Sequence, residues 1–146
     1  MGKRTSVSCE RFIVYLEDSG MKEAVSAICK SFYVSPRDIY LDARGWTITA
    51  ARLETWWWMM TIARKSMGEV ARIFDRDSSS LYYSMQRLGE MAVEKGVPLN
   101  EKTIHAIAEA VAQTALENAR RAGRSVATSG AGTAASVAKR AITKKE

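Results

Sequence analysis

The residue types that most often do chemistry are sparse in this chain. Two cysteines, Cys9 and Cys29, and one histidine, His105, are scattered among 146 residues. Their spacing matches no zinc ligand set, no nucleophile motif lies near His105, and the sequence holds no phosphate-binding glycine loop. We therefore expect no enzymatic activity, metal, cofactor or small-molecule substrate. Both cysteines fall on apolar faces of expected helices, which predicts two buried thiols, with a disulfide as the alternative.

A more informative group of side chains occupies positions 75–80, where the sequence reads Asp-Arg-Asp-Ser-Ser-Ser. Short polar side chains at the start of a helix can reach base edges and phosphates, and the N–H groups of that terminus attract phosphate. The alternative is that these residues only cap a helix, because Asp and Ser are the commonest N-cap residues. Both interpretations are open on the residues alone.

The elements that would position this group follow from the spacing of apolar residues. They recur at helical intervals along most of the chain, and no strand-like alternation is present. Ser66 and Glu69 form a capping-box pattern that begins a helix ending near Phe74, and a second helix runs from about 79 to 94. This pair has helix-turn-helix spacing. We predict an all-α fold, a helix-turn-helix bundle of about six helices with a disordered C-terminal tail.

Composition and helix breaks divide the chain into four segments. We predict an N-terminal helix over 1–22, the helix-turn-helix domain over 23–97, a C-terminal helix over 98–122 and a disordered basic tail over 123–146. The tail contains five basic residues and one acidic residue, so it supplies +4 of the net charge of +6. The total charge is therefore weak evidence for a nucleic-acid partner. No apolar run is long enough to span a bilayer, and we expect a cytoplasmic protein without membrane contact.

Three stretches of sequence occur in an order that resembles a known family. They are AICKSFYVSPRDI (27–39), SMGEVARIF (66–74) and DRDSSSLYYSMQRL (75–88). The region from about 24 to 91 resembles the C-terminal DNA-binding domain of the bacterial replication initiator DnaA, a Trp-repressor-like helix-turn-helix module. The resemblance covers roughly half of the chain, and the ATPase module of the initiator has no counterpart here. It implies that the chain binds double-stranded DNA.

The resemblance also assigns individual residues. The arginines at positions 44 and 52 have the spacing of two arginines in the family's basic loop and long helix, and positions 76, 77, 79 and 80 match its Arg-Asp-x-Ser-Thr signature with Ser for the Thr. Ser78 stands where the family has a His that reads bases, and Asp75 replaces a Gly-Gly pair. We therefore expect a DNA target other than the family's usual initiator box.

The expected DNA contacts fall into three groups. Arg44 would enter the minor groove or clamp a phosphate beside it, the alternative being a solvated loop arginine. Other side chains would hold phosphates and fix the register of the protein on the duplex: Arg52, Lys65, Arg76 and Ser79. A third set would contact base edges: Asp77, Ser78 and Ser80. Tyr83 and Arg87 lie further along the same helix and would contact the DNA backbone.

The run Trp56, Trp57, Trp58 is the oddest apolar feature. Successive helix residues are about 100° apart, so three of them cannot all face one core. We predict that two are buried and the third is half-covered. The alternatives are a surface for a homodimer or another protein, and stacking on unpaired bases. A two-fold dimer would suit a palindromic DNA site.

Together these observations predict a sequence-specific double-stranded DNA-binding protein, associated with the nucleoid. Its expected role is transcriptional regulation, and its stand-alone module suggests a phage or mobile-element origin. One alternative is an accessory replication factor that binds or competes for initiator sites. An alternative of another class is a protein-interaction adaptor that uses the tryptophan-rich surface.

Overall fold

The structure, a computed structural model, describes residues 6–41 and 44–127. In this part of the chain there are seven helices and no strand, which confirms the predicted all-α class and gives one helix more than about six. The helices are α1 (Ser6–Asp18), α2 (Lys22–Ser31), α3 (Pro36–Tyr40), α4 (Trp46–Thr61), α5 (Met67–Ile73), α6 (Ser78–Lys95) and α7 (Ile104–Ala127).

Two capping boxes begin the helices on which the site depends. The Ser35 hydroxyl accepts from the Asp38 N–H at 3.4 Å, and the Asp38 carboxylate accepts from the Ser35 N–H at 2.9 Å. Ser66 and Glu69 make the same reciprocal pair at 3.1 and 3.0 Å. Each box supplies partners to N–H groups that a helix start leaves unpaired, so α5 begins where the sequence predicts and α3 begins by the same chemistry.

A residue with left-handed backbone follows each of the two helices in the predicted DNA-reading pair. Gly96 has φ 69°, and the N–H groups of Gly96 and Val97 bond back to the carbonyls of Val93 and Ala92 at 3.0 Å. This arrangement closes α6 at Lys95, close to the predicted end near 94. Asp75 takes the same role after α5 with φ 52°, a conformation that Asp tolerates better than most residues.

An aromatic cluster lies at the centre of the first compact unit, residues 1–112. The ring of Phe12 in α1 stacks on Tyr40 at 4.8 Å between centroids and packs against Phe74 at 4.9 Å. Trp56 meets Phe74 edge-on at 5.8 Å. Because α1 supplies Phe12 to this core, the predicted N-terminal segment 1–22 and the helix-turn-helix segment 23–97 share one core.

The tryptophan run divides as predicted. Trp56 is 4% exposed and Trp57 is 7% exposed, whereas Trp58 is half-buried against the core. The interface alternative therefore needs correction: Trp56 and Trp57 have almost no surface to offer a partner, because α4 crosses the interior and buries two of its faces. Only Trp58 retains accessible area.

Both cysteines are buried and free, which confirms the prediction of thiols without a disulfide. Burial is the main reason that the pKa of the Cys29 thiol is raised to about 12, with smaller contributions from the carboxylates of Asp38 and Glu54. A thiol with this pKa is protonated and unreactive at neutral pH.

The second compact unit begins at Gln113, and its described part is helical through Ala127. This corrects the predicted tail boundary at 123. A sequence rich in alanine and poor in large apolar residues is compatible with a helix as well as with disorder, and composition alone does not distinguish these two states. The rest of the predicted tail, 128–146, lies outside the described residues. In the described ranges, no helix is long and apolar enough to cross a membrane.

Candidate nucleic-acid interface

The helix pair α5–α6 and its short connection form the helix-turn-helix candidate. The buried residues of α5 are Val70 and Ala71, and its C-cap Phe74 is buried as well. In α6, Leu81 and Leu88 are buried. The buried positions of α6 are spaced by a multiple of the helical repeat, so one face of α6 packs inward and the opposite face is left to solvent. The connection is four residues long if Phe74 and Asp77 are taken as the two caps.

Asp77 is the N-cap of α6. Its carboxylate accepts from the Ser79 hydroxyl at 2.7 Å and from the Ser79 N–H at 3.5 Å. These bonds, the hydroxyl first, lower the pKa of the Asp77 carboxyl below its ordinary value. Both interpretations of this residue thus remain: the capping role is observed, and a carboxylate has further lone pairs with which to accept from a base.

The three serines that follow are all exposed: Ser78, Ser79 and Ser80. Ser79 is partly engaged, because its hydroxyl donates to Asp77. Ser78 and Ser80 direct short side chains from the first turn of an exposed helix face. A hydroxyl is both a donor and an acceptor, so these two residues can pair with either kind of group on a base edge.

Tyrosines and an arginine extend this exposed face. Tyr83 is 63% exposed, and its ring meets that of Tyr82 edge-on at 5.5 Å. Arg87 is exposed one turn further along α6. The second half of the helix exposes two carboxylates, Glu90 and Glu94, and one cation, Lys95, so its exposed charge is net negative. The first half of α6, residues 78–87, therefore has the charge better suited to approach a polyanion.

Arg52 and Arg76 do not stand on the surface with these residues. Both are partly buried, and their guanidinium groups donate to backbone carbonyls at the end of α3. Arg76 also lies over the ring of Trp56, with 5.8 Å from its guanidinium carbon to the ring centroid. The structure thus shows a structural role for two residues that the sequence placed among the phosphate contacts, and the phosphate role stays a prediction.

Arg44 and Lys65 have the accessibility that a phosphate contact needs. Arg44 is exposed just before Gly45, which has φ 145° and precedes α4. Lys65 is half-buried in the connection between α4 and α5. Among the described residues, no hydrogen bond or ion pair holds either side chain, so both phosphate contacts stay predictions.

Two cations beside the helix-turn-helix were missed by sequence reasoning. Arg64 is exposed in the connection before α5, and Arg72 is exposed on α5 itself. The resemblance drew attention to signature positions, and neither arginine belongs to them. A plain inventory of cations flanking the predicted helix pair would have found both.

Within the first unit, a further polar cluster joins His105, at the start of α7, to Phe32 and to Glu54 of α4. His105 stacks on Phe32 at 4.2 Å between ring centroids, and its Nδ1 lies 3.3 Å from Glu54 Oε1. Burial raises the pKa of the Glu54 carboxyl, and the nearby imidazole partly opposes the rise. Across the described ranges, no group of three or more His, Cys, Asp and Glu side chains could hold a metal ion.

Comparisons with protein-family models, with curated proteins and with solved structures gave no match to this chain. The case for a nucleic-acid interface therefore depends on the geometry of the helix pair and the chemistry of its exposed residues.

Proposed function

We propose that this chain is a sequence-specific double-stranded DNA-binding protein that presents the first half of α6 to the major groove. The observation that carries the proposal is the contrast along α6. Its N-terminal half, which follows α5 and a tight turn, exposes Ser78, Ser80, Tyr83 and Arg87. Its C-terminal half is net negative, because it exposes two carboxylates and one lysine. Helix-turn-helix proteins use the N-terminal residues of the second helix to contact bases.

In this arrangement the polar side chains at the start of α6 read base edges. Ser78 and Ser80 bond to either donors or acceptors, and Asp77 accepts from a cytosine amino group with the lone pairs that its capping bonds leave. The capping carboxylate also places negative charge at the helix N-terminus, which offsets the attraction of the N–H groups for phosphate. Phosphate contacts therefore fall to cations outside that terminus.

Exposed cations from neighbouring segments supply the backbone contacts. The set is Arg44 before α4, Arg64 and Lys65 before α5, Arg72 on α5 and Arg87 on α6. Phosphate contacts fix register and contribute most of the salt-dependent affinity, and base contacts add the sequence preference. Arg44 would act in the minor groove or on a phosphate beside it.

Regulation of transcription is the role we propose for this binding, in a nucleoid-associated protein. Occupancy of replication-initiator sites is the alternative within the same class, and mapping bound sites across a genome separates promoters from origins. The adaptor alternative has lost its main support, because Trp56 and Trp57 are buried. A homodimer remains a prediction, and a two-fold symmetric target sequence would be its signature.

A salt titration tests the binding itself. Fluorescence anisotropy with a labelled duplex of random sequence measures the affinity at several salt concentrations. The logarithm of the affinity is expected to fall linearly with the logarithm of the salt concentration, with a slope of about −0.9 for each phosphate contacted. Arg72→Ala should reduce the magnitude of that slope by about 0.9, and Lys30→Ala on α2 should leave it unchanged.

The basic C-terminal residues need their own control, because their positive charge attracts DNA whatever their conformation. A full-length variant with Lys139, Arg140, Lys144 and Lys145 changed to Gln removes that charge. If this variant binds no duplex at low salt, the folded part is not a DNA-binding module and the proposal fails. If it binds with the Arg72-dependent slope intact, the proposal stands.

A further inference from the structure

The carboxyl end of α3 is closed by side chains from two other parts of the fold. The last carbonyls of any helix have no partner within that helix. Here Arg52 of α4 supplies one set of donors: its Nε bonds to the Ile39 carbonyl at 2.8 Å and its Nη2 to the Leu41 carbonyl at 2.9 Å.

Arg76 supplies the second set from the turn of the helix-turn-helix. Its Nη1 bonds to the carbonyls of Tyr40 at 3.3 Å and Phe74 at 3.4 Å, and its Nη2 bonds to the Leu41 carbonyl at 3.3 Å. The Leu41 carbonyl is therefore shared by two guanidinium groups. Arg76 joins the end of α5, through Phe74, to the end of α3.

We propose that Arg52 and Arg76 are positioning residues of the DNA interface: together they fix the start of α4, which Arg44 precedes, relative to the start of α6. This inference depends on the proposed function. Arg44 and Gly45 directly precede α4, the helix that carries Arg52, and Arg76 immediately precedes the cap of α6. A bond between these two points couples the part of the protein that approaches the minor groove to the part that reads the major groove.

The chemistry of the contact explains why arginine is needed at both positions. A guanidinium is planar and has five N–H donors in a fixed fork, so one side chain can hold two or three carbonyls in a set geometry. The same plane can lie against an aromatic face, as Arg76 does over Trp56. A lysine keeps the charge but has a compact head on a flexible stem, and it cannot reproduce the fork.

Arg76→Lys is therefore the variant that separates positioning from phosphate contact. A lysine still serves a phosphate as a point charge, so a phosphate role predicts a small loss of affinity. The positioning role predicts that affinity for a selected site falls by about 10-fold or more and that the magnitude of the salt slope falls by up to about 0.9, because the Arg44 contact is weakened. Arg11→Lys on α1 is the matched control, with no change expected.

A double-mutant cycle with Arg44 supplies a readout that general destabilisation would not move. Arg44→Ala should weaken binding to the selected site by about 10-fold in the wild-type background and by less than about 3-fold in the Arg76→Lys background. If the two losses simply multiply, the coupling is absent and the inference is wrong. Circular dichroism of each variant shows that it is folded at the assay temperature.

A second measurement tests the arginine contacts without DNA. The N–H groups of Leu41 and Arg76 bond to the carbonyls of Arg37 and Ala71. Amide hydrogen exchange at these two residues should accelerate in Arg52→Lys and in Arg76→Lys, and not in Arg11→Lys, since the α3 end loses its side-chain partners. Unchanged exchange in both variants overturns the positioning role. A wild-type chain that binds no duplex while exchange responds as expected overturns the DNA function instead, so the two failures are distinct.

Discussion

Two runs of three identical residues, the tryptophans 56–58 of α4 and the serines 78–80 of α6, meet opposite fates in the fold. Two of the tryptophans are buried and the third is half-buried, whereas all three serines are exposed. Trp56 contacts Phe74 and Arg76 in the interior. By contrast, the hydrogen bonds that Ser79 and Ser80 make with Asp77 and Ser84 are local and lie within the cap and the first two turns of α6.

This difference separates the part of the molecule that makes the fold from the part that is free to recognise a partner. Buried aromatic side chains contribute much of the stability of a core, so their identity is constrained by packing. Exposed serines contribute little to stability, so their identity is open to selection for binding. A change in the tryptophan run should therefore affect folding, and a change in the serine run should affect DNA selectivity.

The largest effect is expected in the tryptophan run. Trp56→Ala should lower the free energy of unfolding by about 3–5 kcal/mol, because it leaves a cavity against Phe74. Trp58→Ala should cost clearly less, since Trp58 is only half-buried. Denaturant titration of both variants measures the difference. Equal losses would show that position 58 is as much a part of the core as position 56.

Trp56→Phe refines the same comparison. The indole N–H of Trp56 is buried and has no hydrogen-bond partner among the described residues. A phenylalanine removes that unpaired donor while keeping an aromatic ring, so it should recover most of the stability that alanine loses. If phenylalanine is as destabilising as alanine, the indole has a partner that the described contacts do not include.

A smaller effect is expected for a serine that is part of a helix start. Ser66→Ala removes one half of the capping box of α5 and should cost about 1 kcal/mol of stability. Thermal or denaturant unfolding measures it, with Ser26→Ala on α2 as the control. No loss at position 66 would mean that water replaces the cap without cost, and the contrast between capping and exposed serines would weaken.

The interior also contains a carboxylate whose effect depends on pH. Burial raises the pKa of Glu54 above its ordinary value of 4.5, so the folded state favours the protonated form. Its contribution to stability is complete below pH 4.5 and is lost as the pH rises through the raised folded pKa. Glu54→Gln should therefore lose less stability than the wild type as the pH rises above 4.5. Parallel pH profiles of the two proteins would contradict this account.

The smallest effect on stability is expected in the serine run. The double variant Ser78→Ala, Ser80→Ala keeps Asp77 and Ser79, and with them the cap of α6. Its free energy of unfolding should lie within about 0.5 kcal/mol of the wild type. A large loss would place these serines in the structural part of the molecule and remove the basis for the comparison.

Features that depend on neighbouring residues in the sequence were predictable. The starts of α3 and α5, the end of α6 at Gly96 and the split of the tryptophan run all follow from capping chemistry or helical periodicity. These rules depend on residues that lie a few positions apart, so the local sequence is enough to apply them. The all-α class follows from the same rules.

Features that depend on distant partners were not predictable. Arg52 and Arg76 look like surface cations in the sequence, and their carbonyl partners on α3 become visible only when the chain is folded. The end of α7 is a different case, because alanine-rich sequence is compatible with both helix and disorder. The periodicity of α4 likewise indicated that one tryptophan would be less buried, without indicating which.

Selection of bound sequences from a random duplex pool tests the central claim most directly. The wild-type chain should enrich a defined sequence, and the variant Ser78→Ala, Ser80→Ala should relax or change it at positions read by α6, with binding to unselected duplex unchanged. Ser26→Ala should enrich the wild-type sequence. Enrichment of the same sequence by the serine variant, or of none by the wild type, would contradict the account that α6 reads DNA through its first turn.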